Sequence, residues 1–396
     1  MTTAAAQPLT RLIAGLGVAQ IISWGSLFYA IGVLGSAMRT DLGVSELFLF
    51  GSFTAGLLVS GTLAPVAGRM IDARGGRVVL SVGSILSVVA MLLLAVGQHA
   101  AVLAAGWLVA GAAMAFCLYD PAFATLGQHT GTRYRRAVTA LTLFGGFAST
   151  VFWPLSLLLM EAWGWRATLA IYACLHLFVC LPIHRLLIPG HLPVPHEATS
   201  SEIAGATAAG RDPRLVWLTV SFAIATFVFA VIAVHLINLL TSAGLTPAQA
   251  VTISMLVGPM QVAGRIVELG FSHKVRAVTV GMIAFALMLV SLVALISVEG
   301  FGIAAVVFVT AYGCGNGVLT IVKGTAPAEL FGRERLGTLL GQLSQAGLYA
   351  KAVAPATFSG LLTLGLTRNA ALAALASLSV AAMASYGWAL RRSGKR

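Results

Sequence analysis

Gly68-Arg69-Met70-Ile71-Asp72-Ala73-Arg74-Gly75-Gly76-Arg77 runs straight into VVLSVGSILSVVAMLLLAVG, residues 78–97. Four ionisable side chains crowd the first ten residues and none enters the next twenty. A bilayer core about 30 Å thick is crossed by about 20 apolar helical residues, so the second stretch is long enough to span it. The first belongs at the boundary. The same alternation recurs along the chain and predicts spans near 12–38, 45–67, 78–97, 101–127, 137–160, 166–188, 215–240, 247–271, 277–297, 301–324, 337–365 and 369–391. The expected fold is therefore an all-α polytopic membrane protein with twelve transmembrane helices. Composition agrees: 59% of the 396 residues are hydrophobic and 9% are charged, more apolar surface than a soluble domain of this size can hide. The first span is too long for the apolar region of a signal peptide and has a counterpart in the second half, so it is read as structure.

The formal charge is +12, but its distribution points to a lipid bilayer rather than to nucleic acid. With the N-terminus in the cytoplasm, eighteen of the 24 Lys and Arg residues lie inside and only Arg39, Arg166 and Arg368 outside, while Arg265, Lys323 and Lys351 fall within spans. This positive-inside bias puts both termini on the cytoplasmic face of the inner (plasma) membrane. Cys117, Cys174, Cys180 and Cys314 all lie in spans, where a thiol behaves as a small apolar residue, and no disulfide framework is implied. His176 and Cys180, one helical turn apart, suit a soft metal such as copper; lacking an evident third ligand, they read better as helix packing, and no cofactor is expected. No nucleophile constellation, phosphate loop or metal cluster supports an enzyme.

Pro189 to Pro213 is the one long polar segment, and it divides the chain into an N-terminal half (1–188), a cytoplasmic linker (189–214) and a C-terminal half (215–396), each half with six spans. Internal repetition supports the cut. Pairing Ser45 with Thr246, each at the start of a span, sets an offset of 201 residues that carries Asp72 onto His273. Two six-helix halves with a site between them is a common transporter plan.

The loop Gly68 to Arg77 resembles the signature loop of the major facilitator superfamily, in which a glycine, an acid and basic residues surround a tight turn. The resemblance implies the major facilitator fold, with Asp72 and Arg77 latching the two halves on the cytoplasmic side and Gly68 permitting close helix approach. The second-half counterpart, Ser272-His273-Lys274-Val275-Arg276, lacks the acid, so the expected latch is asymmetric.

Ionisable residues at membrane depth are costly and carry functional weight. Asp120 is the only acid deep in the first half, ~28 Å along the fourth span, and Pro121 beside it makes that helix irregular. Lys351 lies ~21 Å into the eleventh span, too deep for comfortable snorkelling. Lys323 reads as a helix-end cap beside Gly324 and Pro327. Arg265 has two registers. The local match of Val262–Glu268 to Val66–Asp72 makes it a loop residue, whereas the span-start register puts it ~12 Å inside the membrane, with Glu268 one turn away. The second is preferred, because the first leaves Leu269 and Phe271 unexplained.

The superfamily resemblance implies that Asp120, Arg265 and Lys351 surround one aqueous space, where two cations against one acid favour an anionic small molecule and Arg offers a two-pronged donor for a carboxylate. Trp24, Tyr29, Tyr119, Tyr312 and Asn316 are candidates for lining it. Gly264-Arg265 also resembles, more weakly, the monocarboxylate branch, whose eighth-helix arginine binds the substrate carboxylate. Animal members carry an aspartate one turn before it, and this chain has Gln261. Proton coupling then falls to Asp120. The expected function is secondary active, proton-coupled symport of a small organic anion, a monocarboxylate, by a monomer. The alternatives are drug or metabolite efflux by proton antiport, which the sequence Gly145 to Pro154 matches poorly, and a transport-silent receptor.

Overall fold

Lipid offers no hydrogen-bond partner to the backbone, so a chain that crosses it as single segments must do so as helices. The computed structural model describes residues 6–190 and 212–391, and among them there is no strand. Most of the expected linker, 191–211, lies outside the described residues. Ten helical stretches are long and apolar enough to span a membrane. They are α1 (Leu9–Leu42), α2 (Glu46–Arg74), α3 (Gly76–Val96), α4 (Ala100–His129), the 56-residue stretch Gly131–Leu186, α7 (Pro213–Thr241), α8 (Pro247–Phe271), α9 (Ala277–Ile296), α10 (Ile303–Phe331) and α12 (Arg368–Arg391). Gly131–Leu186 is two passes. Gly164, at φ 79° and ψ 166°, breaks it into α5 (131–163) and α6 (165–186), a backbone conformation open to glycine alone. With α11 (Leu336–Thr363), a 28-residue helix whose apolar surface is interrupted by Gln342, Ser344, Gln345 and Lys351, the passes number twelve.

The chain forms two compact units: Met1–Leu192 with Arg333–Gln345, and Pro193–Gly332 with Ala346–Arg396. The first turns of α11 thus pack with the N-terminal helices. Contacts inside each unit repeat at the spacing the sequence suggests. Ser45 and Thr246 are both N-caps: Ser45 accepts from Phe48 N at 3.1 Å, and Thr246 accepts from Gln249 N at 3.3 Å within a capping box. At the other membrane face, Gln128 Oε1 accepts from Gly76 N (3.3 Å) at the start of α3, and Glu329, 201 residues later, accepts from Val278 N (3.4 Å) at the start of α9. Glu329 also takes Arg276 Nε at 2.6 Å. Glu329 thus does at the start of α9 what Gln128 does at the start of α3.

Arg166 and Arg368 lie 202 residues apart and play matching parts. Each starts the sixth helix of its half and ties down the ends of the first and third. Arg166 bonds Asp41 and donates to Gly97 O (3.0 Å); Arg368 donates to Leu239 O (3.1 Å) and Leu295 O (2.6 Å). These carbonyls lie at helix ends, where backbone acceptors run short of regular i+4 donors. A hydrogen bond to a charged group contributes about 1.5–3 kcal/mol. Arg368→Ala should accordingly lower the melting temperature of the detergent-solubilised protein by several degrees, whereas Arg39→Ala, at an exposed position, should leave it unchanged. Equal melting of both variants would remove the clamp.

Candidate functional site

Asp72 sits in the last turn of α2, where its carboxylate meets the first residues of α11. Oδ1 accepts from Gly337 N at 2.9 Å, and Oδ2 accepts from Thr338 N and Thr338 Oγ1, both at 2.7 Å. The first backbone N–H groups of a helix have no intrahelical acceptor and carry partial positive charge, so an ionised acid is their natural partner. Gly68, one turn earlier on α2, lets the two backbones touch: a Cβ there would stand 2.0 Å from Gly337 O. The sequence grouped Arg77 with Asp72, and the structure corrects this. Arg77 Nε donates to Ile188 O at 2.7 Å, so Arg77 tethers the end of the sixth helix of its own half.

Asp120 lies where α4 breaks. Leu118 leaves the helical region at φ −79° and ψ −159°, and the helix restarts at Tyr119 with Asp120 in its first turn, the irregularity that Pro121 predicts. Ser344 Oγ, on the early part of α11, donates to Asp120 Oδ2. Around it the first unit assembles an aromatic cluster. Trp24, in a π-helical turn of α1 (Trp24–Tyr29), has its ring 5.1 Å from Tyr119 and 6.3 Å from Tyr29. Tyr119 stacks on Phe123, and Tyr29 meets Trp153 edge-on. The expected lining residues Trp24, Tyr29 and Tyr119 are thus neighbours, built on a helix distortion of a kind often found at functional sites.

In the second unit Arg265 is an intrahelical residue. It lies six residues before the end of α8 and is only 4% exposed, and its Nε donates to Gly317 O of α10 at 3.4 Å. Glu268, one turn on, is equally buried. Lys351 is half-buried in the middle of α11. Lys323 departs from expectation: α10 continues through Pro327 to Phe331, so Lys323 sits eight residues inside the helix and does not cap its end. Tyr312 also departs, because its hydroxyl donates to Phe229 O (3.0 Å) and its ring packs on Phe229 and Phe308. It is a core residue of the α7–α10 contact. Asn316 remains half-buried on α10, where its carbonyl accepts from Thr320. His176, at the start of a π-helical turn in α6, is a core residue too, bonded to Ser26 Oγ at 2.8 Å. No cluster of three or more His, Cys, Asp or Glu suited to a metal occurs among the described residues.

Residues 16–355 match the sequence profile of the Major Facilitator Superfamily. The chain belongs to that superfamily. It is therefore a multi-pass membrane transporter and not an enzyme. Solved superfamily structures share the fold over nearly the whole length. The E. coli fucose:proton symporter aligns with a TM-score of 0.73 at 12% identity, covering 97% of this chain and 99% of its own. The human organic anion transporter MFSD10 aligns at 0.74 and 16% identity, covering 97% and 100%. The proton:xylose symporter aligns at 0.73 and 12%, covering 97% and 96%. No curated protein matches by sequence.

Two partners in this superfamily member escaped the sequence reading. Ser344 as a donor to Asp120 lies 224 residues away along the chain, and no local pattern reveals it. Glu329 was legible in principle, since the 201-residue offset carries Gln128 onto it.

Proposed function

We propose that this superfamily member is a proton-coupled secondary transporter of a small organic anion, with a monocarboxylate as the preferred class, working as a monomer in the inner membrane with both termini cytoplasmic. The observation that carries the reading is Arg265, a guanidinium buried within a membrane helix and backed by Lys351 at depth on α11. Burial of a permanent charge in a span is costly, and anion recognition supplies a reason to keep it. The solved structures with this fold include a fucose:proton symporter and an organic anion transporter alike, so the fold leaves the cargo open and the charges must choose it. Uptake of labelled monocarboxylates, dicarboxylates and hexoses by proteoliposomes, with and without an inward proton gradient, tests the reading. Flux of monocarboxylates stimulated by protons is expected; flux of hexoses alone would discard the anion.

The Asp72 cap on α11 is read as the gate. Asp72→Asn preserves shape but exchanges an anionic acceptor of three hydrogen bonds for a neutral amide, so it should slow net transport severalfold while leaving equilibrium binding nearly unchanged. Equal loss of binding and flux would place Asp72 in the pocket instead.

A further inference from the structure

We propose that the second unit holds a specific phospholipid site, selective for an anionic headgroup, in the groove between α8 and α9. α8 and α9 form the walls and α10 the floor, enclosing about 620 Å³. Gly264 brings α8 onto α10, since a Cβ there would lie 2.9 Å from Cys314 Cα. The walls are apolar and open to the surroundings: Val267 is 59% exposed, Phe271 54% and Ile283 54%. Of the lining side chains only Glu268, Thr310 and Cys314 are not hydrocarbon. From Val280 to Val290 the slot runs about 15 Å along α9, the depth of one leaflet of a ~30 Å core.

An acyl chain in such a slot is contacted from three sides, which multiplies the weak dispersion contacts that a convex helix ridge offers singly. The headgroup end is specified by charge. At the mouth, the loop 272–276 exposes His273 and Lys274, beside Arg276, which is held on Glu329 at 2.6 Å. The acid that lines the slot, Glu268, is 4% exposed and lies one turn from Arg265 on the same helix. The accessible charge at the mouth is thus positive, suited to a lipid phosphate whose headgroup carries no compensating ammonium. An anionic phospholipid such as phosphatidylglycerol fits both ends.

Native mass spectrometry of the full chain in detergent, with phosphatidylglycerol, phosphatidylethanolamine or phosphatidylcholine added singly, tests this. The unmodified protein should retain one phosphatidylglycerol under activation that strips the two zwitterionic lipids. A basic residue near a lipid headgroup is worth a preference of roughly fivefold, so Lys274→Gln, at an exposed loop position, should reduce the phosphatidylglycerol preference by about that factor. Ile283→Trp, which fills the slot from an exposed position, should abolish the retained adduct. Equal retention of all three lipids, a preference for phosphatidylethanolamine, or an adduct unchanged by Ile283→Trp would each overturn the proposal.

Discussion

Arg265→Gln should nearly abolish binding of an anionic substrate. The guanidinium is buried on α8, its Nε engages Gly317 O, and its planar fork is the group suited to a carboxylate. Removing one partner of a buried, charged hydrogen bond costs about 2–5 kcal/mol, a loss well above tenfold in affinity. Arg265→Lys keeps the charge without the fork and should weaken binding substantially but less. Isothermal titration with a saturable monocarboxylate separates the two variants, and insertion is checked by melting temperature. If Arg265→Gln binds normally while correctly inserted, the arginine holds α8 on α10 and nothing more, and the anion reading would then rest on Lys351.

Asp120→Asn should retain exchange of substrate across the membrane and lose all acceleration by a proton gradient. An amide keeps the shape and polarity of the carboxyl, including an acceptor for Ser344 Oγ, but does not titrate. The expected signature is a concentrative uptake ratio that falls to about one while counterflow continues. If the variant still accumulates substrate when driven by protons, coupling lies elsewhere. Ser344→Ala then serves as a control, because it removes the donor and leaves the carboxyl in place, and should retain proton-driven accumulation.

How much of this was legible before folding differs from residue to residue. The twelve passes were legible as recurring apolar runs, since a ~30 Å hydrocarbon layer imposes one length on every crossing and forbids an unpaired backbone within it. The helix starts at Ser45 and Thr246 were equally local, because an N-cap bonds a backbone N–H only three residues away. Arg265 needed one choice of register; the helix Pro247–Phe271 includes it just as Glu46–Arg74 includes Arg69, and what sets Arg265 apart is its burial. Two assignments were beyond reach of any local rule. Arg77 belongs to Ile188 and Tyr312 to Phe229, because side-chain partners are set by how helices distant in sequence pack together. Asp72 belongs to both accounts: its loop was conspicuous as sequence, but its acceptors' donors, Gly337 and Thr338, lie 265 and 266 residues further along the chain and meet it only where glycines let α2 and α11 touch.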